Sequence, residues 1–115
     1  MTEITLGGEK RQLRFSHIAM KSMEEHYNMG LARVFKEVDM ESIDNMAVMI
    51  WACLRRFDKS VSMDDVEIWL DDSIENGETS YEEIGEKIQE VFQNSMLVKQ
   101  ATPESEDKSK NKTGA

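Results

Sequence analysis

The stretch Ile43–Phe57, IDNMAVMIWACLRRF, constrains this chain more than any other. Its centre, Met46 to Leu54, is nine consecutive residues with no charge and no side-chain amide. A helix over 43–57 would be about 22 Å long, the width of a small domain. Its apolar residues do not keep to one stripe, so the helix must be covered on several sides. Ser42 is placed to cap it, Asp44 falls in its first turn, and Arg55 and Arg56 fall in its last, an order that suits the helix dipole. The run is short of the roughly 20 apolar residues that span a bilayer. It reads as a core helix around which the rest of a small domain is arranged.

The elements before it are legible from their periodicity. Residues 2–6 and 11–15 each alternate apolar and polar positions around Gly7-Gly8, the pattern of two half-buried strands joined by a tight turn. Such a hairpin is marginal alone and must lie on helices or pair with another chain; its edges could take up a partner's strand. Ser16 caps a helix over 17–27, with Ile18, Met20, Met23 and Tyr27 at helical spacing. Asn28 and Gly30 end it as residues tolerant of the left-handed conformation. A short helix over 31–38 follows.

Beyond the core helix, Ser62 with Asp65 imitates a capping box and opens a helix over 63–75. Val66, Trp69, Leu70 and Ile74 turn inward there, and most of its acids turn outward. Ser80 with Glu83 is the full S-x-x-E form and opens a last helix over 81–97, with a stripe of Tyr81, Ile84, Ile88, Val91 and Phe92. Gly85 weakens that helix by about 1 kcal/mol relative to alanine and gives room for close packing. The fold class is therefore mainly α (α+β): a short N-terminal β-hairpin followed by about five helices packed around a central apolar helix. Residues 1–98 form one domain. Residues 99–115, with a proline, mixed charges and no large apolar side chain, read as a disordered polar tail.

Charge is concentrated. Residues 1–57 balance eight acids against eight bases, whereas 58–90 hold twelve acids against Lys59 and Lys87. That sign argues against a nucleic-acid binder and for a solvated face that aids solubility or docks on a basic partner. The N-terminal residues lack the apolar core of a signal peptide, so the cytoplasm is the expected location, with no membrane contact. The single Cys53 sits inside the apolar run and reads as an inert buried thiol.

No catalytic, cofactor or metal set is expected. His17 and His26 are nine apart and one cysteine makes no zinc set. The stretch from Asp58 has Met63 where a calcium loop needs glycine and Trp69 where it needs the bidentate glutamate. Nine methionines are the compositional oddity. Met20, Met23, Met46, Met49 and Met96 fall on or near apolar faces. Flexible thioethers fill irregular cores and also serve surfaces that adapt to partners.

The opening Ile4–Leu6, Gly7-Gly8, Leu13-Arg14-Phe15, the glutamate-rich Met23–Glu25 and Gly30-Leu31 resemble the tail assembly chaperones of long-tailed bacteriophages. The apolar central helix, the acidic helix from Ser62 to Val66 and the final amphipathic helix resemble them too. The resemblance covers roughly 2–97. It implies a non-catalytic protein of the infected host's cytoplasm, absent from the mature virion. Such a protein binds the tape measure protein, keeps it soluble and helps recruit tail tube subunits, the last through a longer, frameshifted form. Coating a long client favours a homo-oligomer. On this reading Met20, Met23, Met29, Met40 and Trp69, where exposed, are the expected partner contacts. The alternative is an acidic mimic of nucleic acid or a regulator that binds a basic partner.

Overall fold

In the computed structural model residues 2–95 are described; Met96 and the expected polar tail lie outside them. An antiparallel hairpin, β1 (Thr2–Leu6) and β2 (Glu9–Leu13), precedes five helices: α1 (His17–Tyr27), α2 (Leu31–Glu37), α3 (Ile43–Leu54), α4 (Met63–Glu75) and α5 (Tyr81–Gln93). The mainly α class with a short hairpin is what the sequence predicts.

α3 is the axis of the fold. Every residue from Ala47 to Leu54 is buried, and α1, α4, α5 and β2 all pack against it. Trp51 is anchored by its indole N–H, which donates to the Val61 carbonyl at 3.0 Å. Cys53 is fully buried, and that burial pushes its thiol up to about 12. The helix stops at Leu54, three residues earlier than its pattern predicts. The Phe57 and Asp58 N–H groups both donate to the Leu54 carbonyl, so Arg55, Arg56 and Phe57 form a closing turn. Phe57 is left exposed there.

The hairpin is tighter than expected. Gly7 and Gly8 have φ of 61° and 79°, which lets a two-residue turn pair Leu6 directly with Glu9. β2 therefore starts two residues before the predicted strand and ends at Leu13; Phe15, still fully buried, lies beyond it. The turn is seated on α4. The Gly7 N–H donates to Ser73 Oγ at 2.8 Å and the Gly8 N–H to Glu78 Oε1 at 3.3 Å. Trp69 is held between Gly7 and Arg11, whose guanidinium lies 3.7 Å from its ring centroid. At the far end of β1, the Thr2 hydroxyl donates to Glu90 Oε2 on α5 at 2.9 Å.

The caps divide differently from the sequence reading. Asn28 takes the left-handed conformation at the end of α1, but Gly30 is extended and serves as the N-cap of α2. At α4, Ser62 Oγ accepts from the Asp65 N–H and the Asp65 carboxylate accepts from the Ser62 N–H, a complete box built with aspartate. At α5 only the serine half forms, Ser80 Oγ accepting from the Glu83 N–H at 3.1 Å. Glu83 instead turns to a shallow cleft by the hairpin that also holds Lys10 and Lys87. α5 ends at Gln93, short of the predicted 97. Asn94 closes it, and its N–H donates to the Glu90 carbonyl. Among the described residues no helix is long and apolar enough to cross a membrane.

Candidate functional site

α5 has more apolar surface than the core needs. Ile84 and Val91 are buried, in the direction of α3 and β1. Tyr81, Gly85, Ile88 and Phe92, spaced four, three and four apart, form a second stripe along the helix and line a groove. The opposite wall comes from Met40 before α3, Met46 and Met49 on α3, and Phe35 on α2. The groove has two adjoining parts, a cleft of about 640 Å³ at the Tyr81 end and one of about 210 Å³ at the Phe92 end. Met40, Ile88 and Gln89 border both. Exposed Ile43 lies one turn before Met46 on the same face of α3.

The two ends differ in aromatic content. Phe15, Phe35 and Phe92 pack as a triad with ring centroids 5.4 to 6.0 Å apart, in tilted and edge-on geometry, and set one end firmly. Met46 at the other end and Met40, which borders both, are flexible thioethers. Gly85 lies at the Tyr81 end: a Cβ built on it would meet nothing outside its own helix backbone within 4 Å. It does not serve close packing, as the sequence suggested; it leaves the groove open.

The five sequence-predicted contacts do not come together. Met23 is fully buried and belongs to the core. Met20 and Met29 are half-buried against the core. Trp69 is half-buried too, engaged by the Gly7 turn and Arg11. Only Met40 lines the groove. Neither a family model, nor a curated protein, nor a solved structure matches this chain. Sequence reasoning missed Met46, Met49, Tyr81, Gly85, Ile88 and Phe92 as one surface. The available signal was a stripe on α5 too wide for a single buried face, with a glycine inside it.

The acids of 58–90 lie mostly on the exposed faces of α4 and α5, and none makes a salt bridge with a described residue. Asp58 is held below the usual carboxylate range by hydrogen bonds from the Ser60 hydroxyl and N–H. His17 and His26 are both exposed; His26 lies edge-on to Tyr27. Among the described residues no group of three or more His, Cys, Asp or Glu is placed to hold a metal ion. What the surface offers chemically is adaptable apolar area in a groove with an acidic margin.

Proposed function

We propose that this chain is a tail assembly chaperone of a long-tailed bacteriophage, acting without catalysis in the host cytoplasm. It would bind the tape measure protein, keep it soluble, and help recruit tail tube subunits through a longer form of the chain. The observation that carries this reading is the groove between α3 and α5, lined by Met40, Met46 and Met49. A client with many similar apolar helical segments needs a site that fits each of them passably, which flexible methionines provide. The surplus acids on α4 and α5 support the same role, since charge keeps the loaded complex from aggregating.

The test is to express the tagged protein from its native gene and downstream region, together with the long downstream product. Retention of that product in soluble form on the tag, with a longer tagged species, is the expected result. A downstream product that stays insoluble, with no longer species, would overturn the proposal.

A second reading rests on the outer face of α4, where Asp64, Glu67, Asp71, Asp72 and Glu75 are all exposed. As an acidic mimic, the chain would instead capture a basic, DNA-binding protein. Raising salt separates the two, because exposed charge pairs are screened whereas an apolar grip persists.

A further inference from the structure

The margin of the groove is graded along its length. Beside Tyr81 and Gly85 stand Glu82 and Glu86, one helical turn apart, with Glu41 also at this end. Beside Ile88 and Phe92 the corresponding positions are Gln89 and Gln93. One end is therefore acidic and the other uncharged. Glu41, Glu82 and Glu86 are exposed and make no salt bridge with a described residue.

The shape selects a helix over a strand. Both walls are mainly side chains of helices, so an extended occupant would find no sheet edge to pair with and would leave backbone polar groups unmatched against apolar surface. A helix satisfies its own backbone. Its ridge of side chains would run along the Tyr81–Phe92 stripe, with a large residue entering the space over Gly85. That stripe spans about three turns at 1.5 Å per residue. An acidic helix is repelled from the Glu82 end, which also argues against α4 of a second copy as the occupant.

We infer that the groove takes an amphipathic α-helix of about three turns that carries lysine or arginine where its apolar stripe meets Glu41, Glu82 and Glu86, and uncharged residues at the other end. This names the class of client segment and rests on the chaperone reading. A chaperone built this way selects segments by the charge at one end of their apolar stripe and tolerates wide variation along it.

The probe is a set of three synthetic helical peptides of about 15 residues. Each has leucines at i, i+4, i+7 and i+11, and one end bears three lysines, three glutamines or three glutamates. Binding to the full chain is followed by fluorescence anisotropy at low and high salt. The lysine peptide should bind about tenfold more tightly than the glutamine peptide at low salt, and the glutamate peptide more weakly than either. Salt should bring the three together. The double variant Glu82→Lys/Glu86→Lys should prefer the glutamate peptide to the lysine one, and Gly85→Trp should weaken all three. Equal binding of the three peptides, no binding of any, or an unchanged order in the double variant would refute the inference. The same proteins in the co-expression test keep the two ideas apart. If the wild type holds the client soluble and the peptides show no charge order, the chaperone reading stands and this inference falls. If the peptides follow the order and no client is retained, the groove is a basic-helix site and the chaperone reading falls.

Discussion

Replacing Gly85 by leucine would place a side chain in the groove while leaving the rest of the fold untouched. A Cβ at this position meets nothing outside its own helix backbone within 4 Å, and the backbone there is helical, so the side chain can leave the helix without strain. Leucine is better than glycine in a helix interior by about 0.8 kcal/mol. Contact with Tyr81 and Ile88, four residues before and three after, adds a few tenths of a kcal/mol. The variant should be about 1 kcal/mol more stable than the wild type, which for a domain of this size raises Tm by about 4–8 °C. The same leucine occupies the space that the proposed client's side chains would enter, so on that proposal retention of the downstream product in soluble form should fall sharply. Gly85→Ala is the control: it brings a similar gain in stability with one methyl group and leaves the groove open. The measurements are a thermal melt followed by far-ultraviolet circular dichroism, and the co-expression assay run on all three proteins. A leucine variant that melts below the wild type would show that the position is not open. One that melts higher and still holds its client would show that the groove is not the site.

The hairpin turn provides a graded pair. Gly8→Ala should cost about 1 kcal/mol, for a left-handed alanine alone. Gly7→Ala should cost at least about 1 kcal/mol more, because its Cβ would lie 2.6 Å from Trp69 Cδ1; equal urea midpoints would contradict that contact. Asp65→Ala should lower stability by about 0.5–1 kcal/mol through loss of the return bond to Ser62, whereas Glu83→Ala should stay within a few tenths, also read from urea midpoints. The Cys53 thiol, raised by burial to about 12, should react with a thiol reagent at pH 8 far more slowly in the native protein than in urea. Because its folded value is raised, its contribution to stability is intact below pH 9 and is lost as pH climbs towards 12, which an alkaline melt series measures. Finally, the crowded carboxylates of 58–90 should make Tm rise as sodium chloride screens their repulsion; a flat or falling Tm would show that they do not strain the fold.

The sequence was most readable where one physical effect acted alone. The bounds of α1 and α4, the position of α3 and the strand β1 all followed from periodicity and serine caps. It was less readable where two effects competed. The charged Glu9 and Lys10 hide the start of β2, because both are exposed and carry no apolar signal although they pair with Leu6 and Thr5. The capping box at α5 is complete on paper, yet the Glu83 side chain lies by the hairpin instead. The groove was the least readable feature. It needs α5 to turn one apolar stripe to the core and an adjacent one to the side, and only the placement of Met40, Met46 and Phe35 opposite the second stripe reveals it. Methionine content pointed to adaptable surface without saying which residues share it: Met23 is interior, Met40 lines the groove.

The hairpin is made first and fastened last. Thr2 hydrogen-bonds to Glu90, 88 residues on, and Gly7 to Ser73, 66 residues on. During synthesis Ile4, Leu6 and Leu13 therefore emerge well before α4 and α5, against which β1 packs. At about 5–20 residues per second, that interval lasts several seconds. A two-stranded ribbon without its helices is too weak to hide those residues by itself. For that time the nascent chain carries an apolar ribbon with open edges, so a protein proposed to keep another soluble passes through a stage in which it is itself exposed to aggregation. In refolding too, docking of the hairpin on α4 and α5, which joins residues 66 and 88 positions apart, should be the late step.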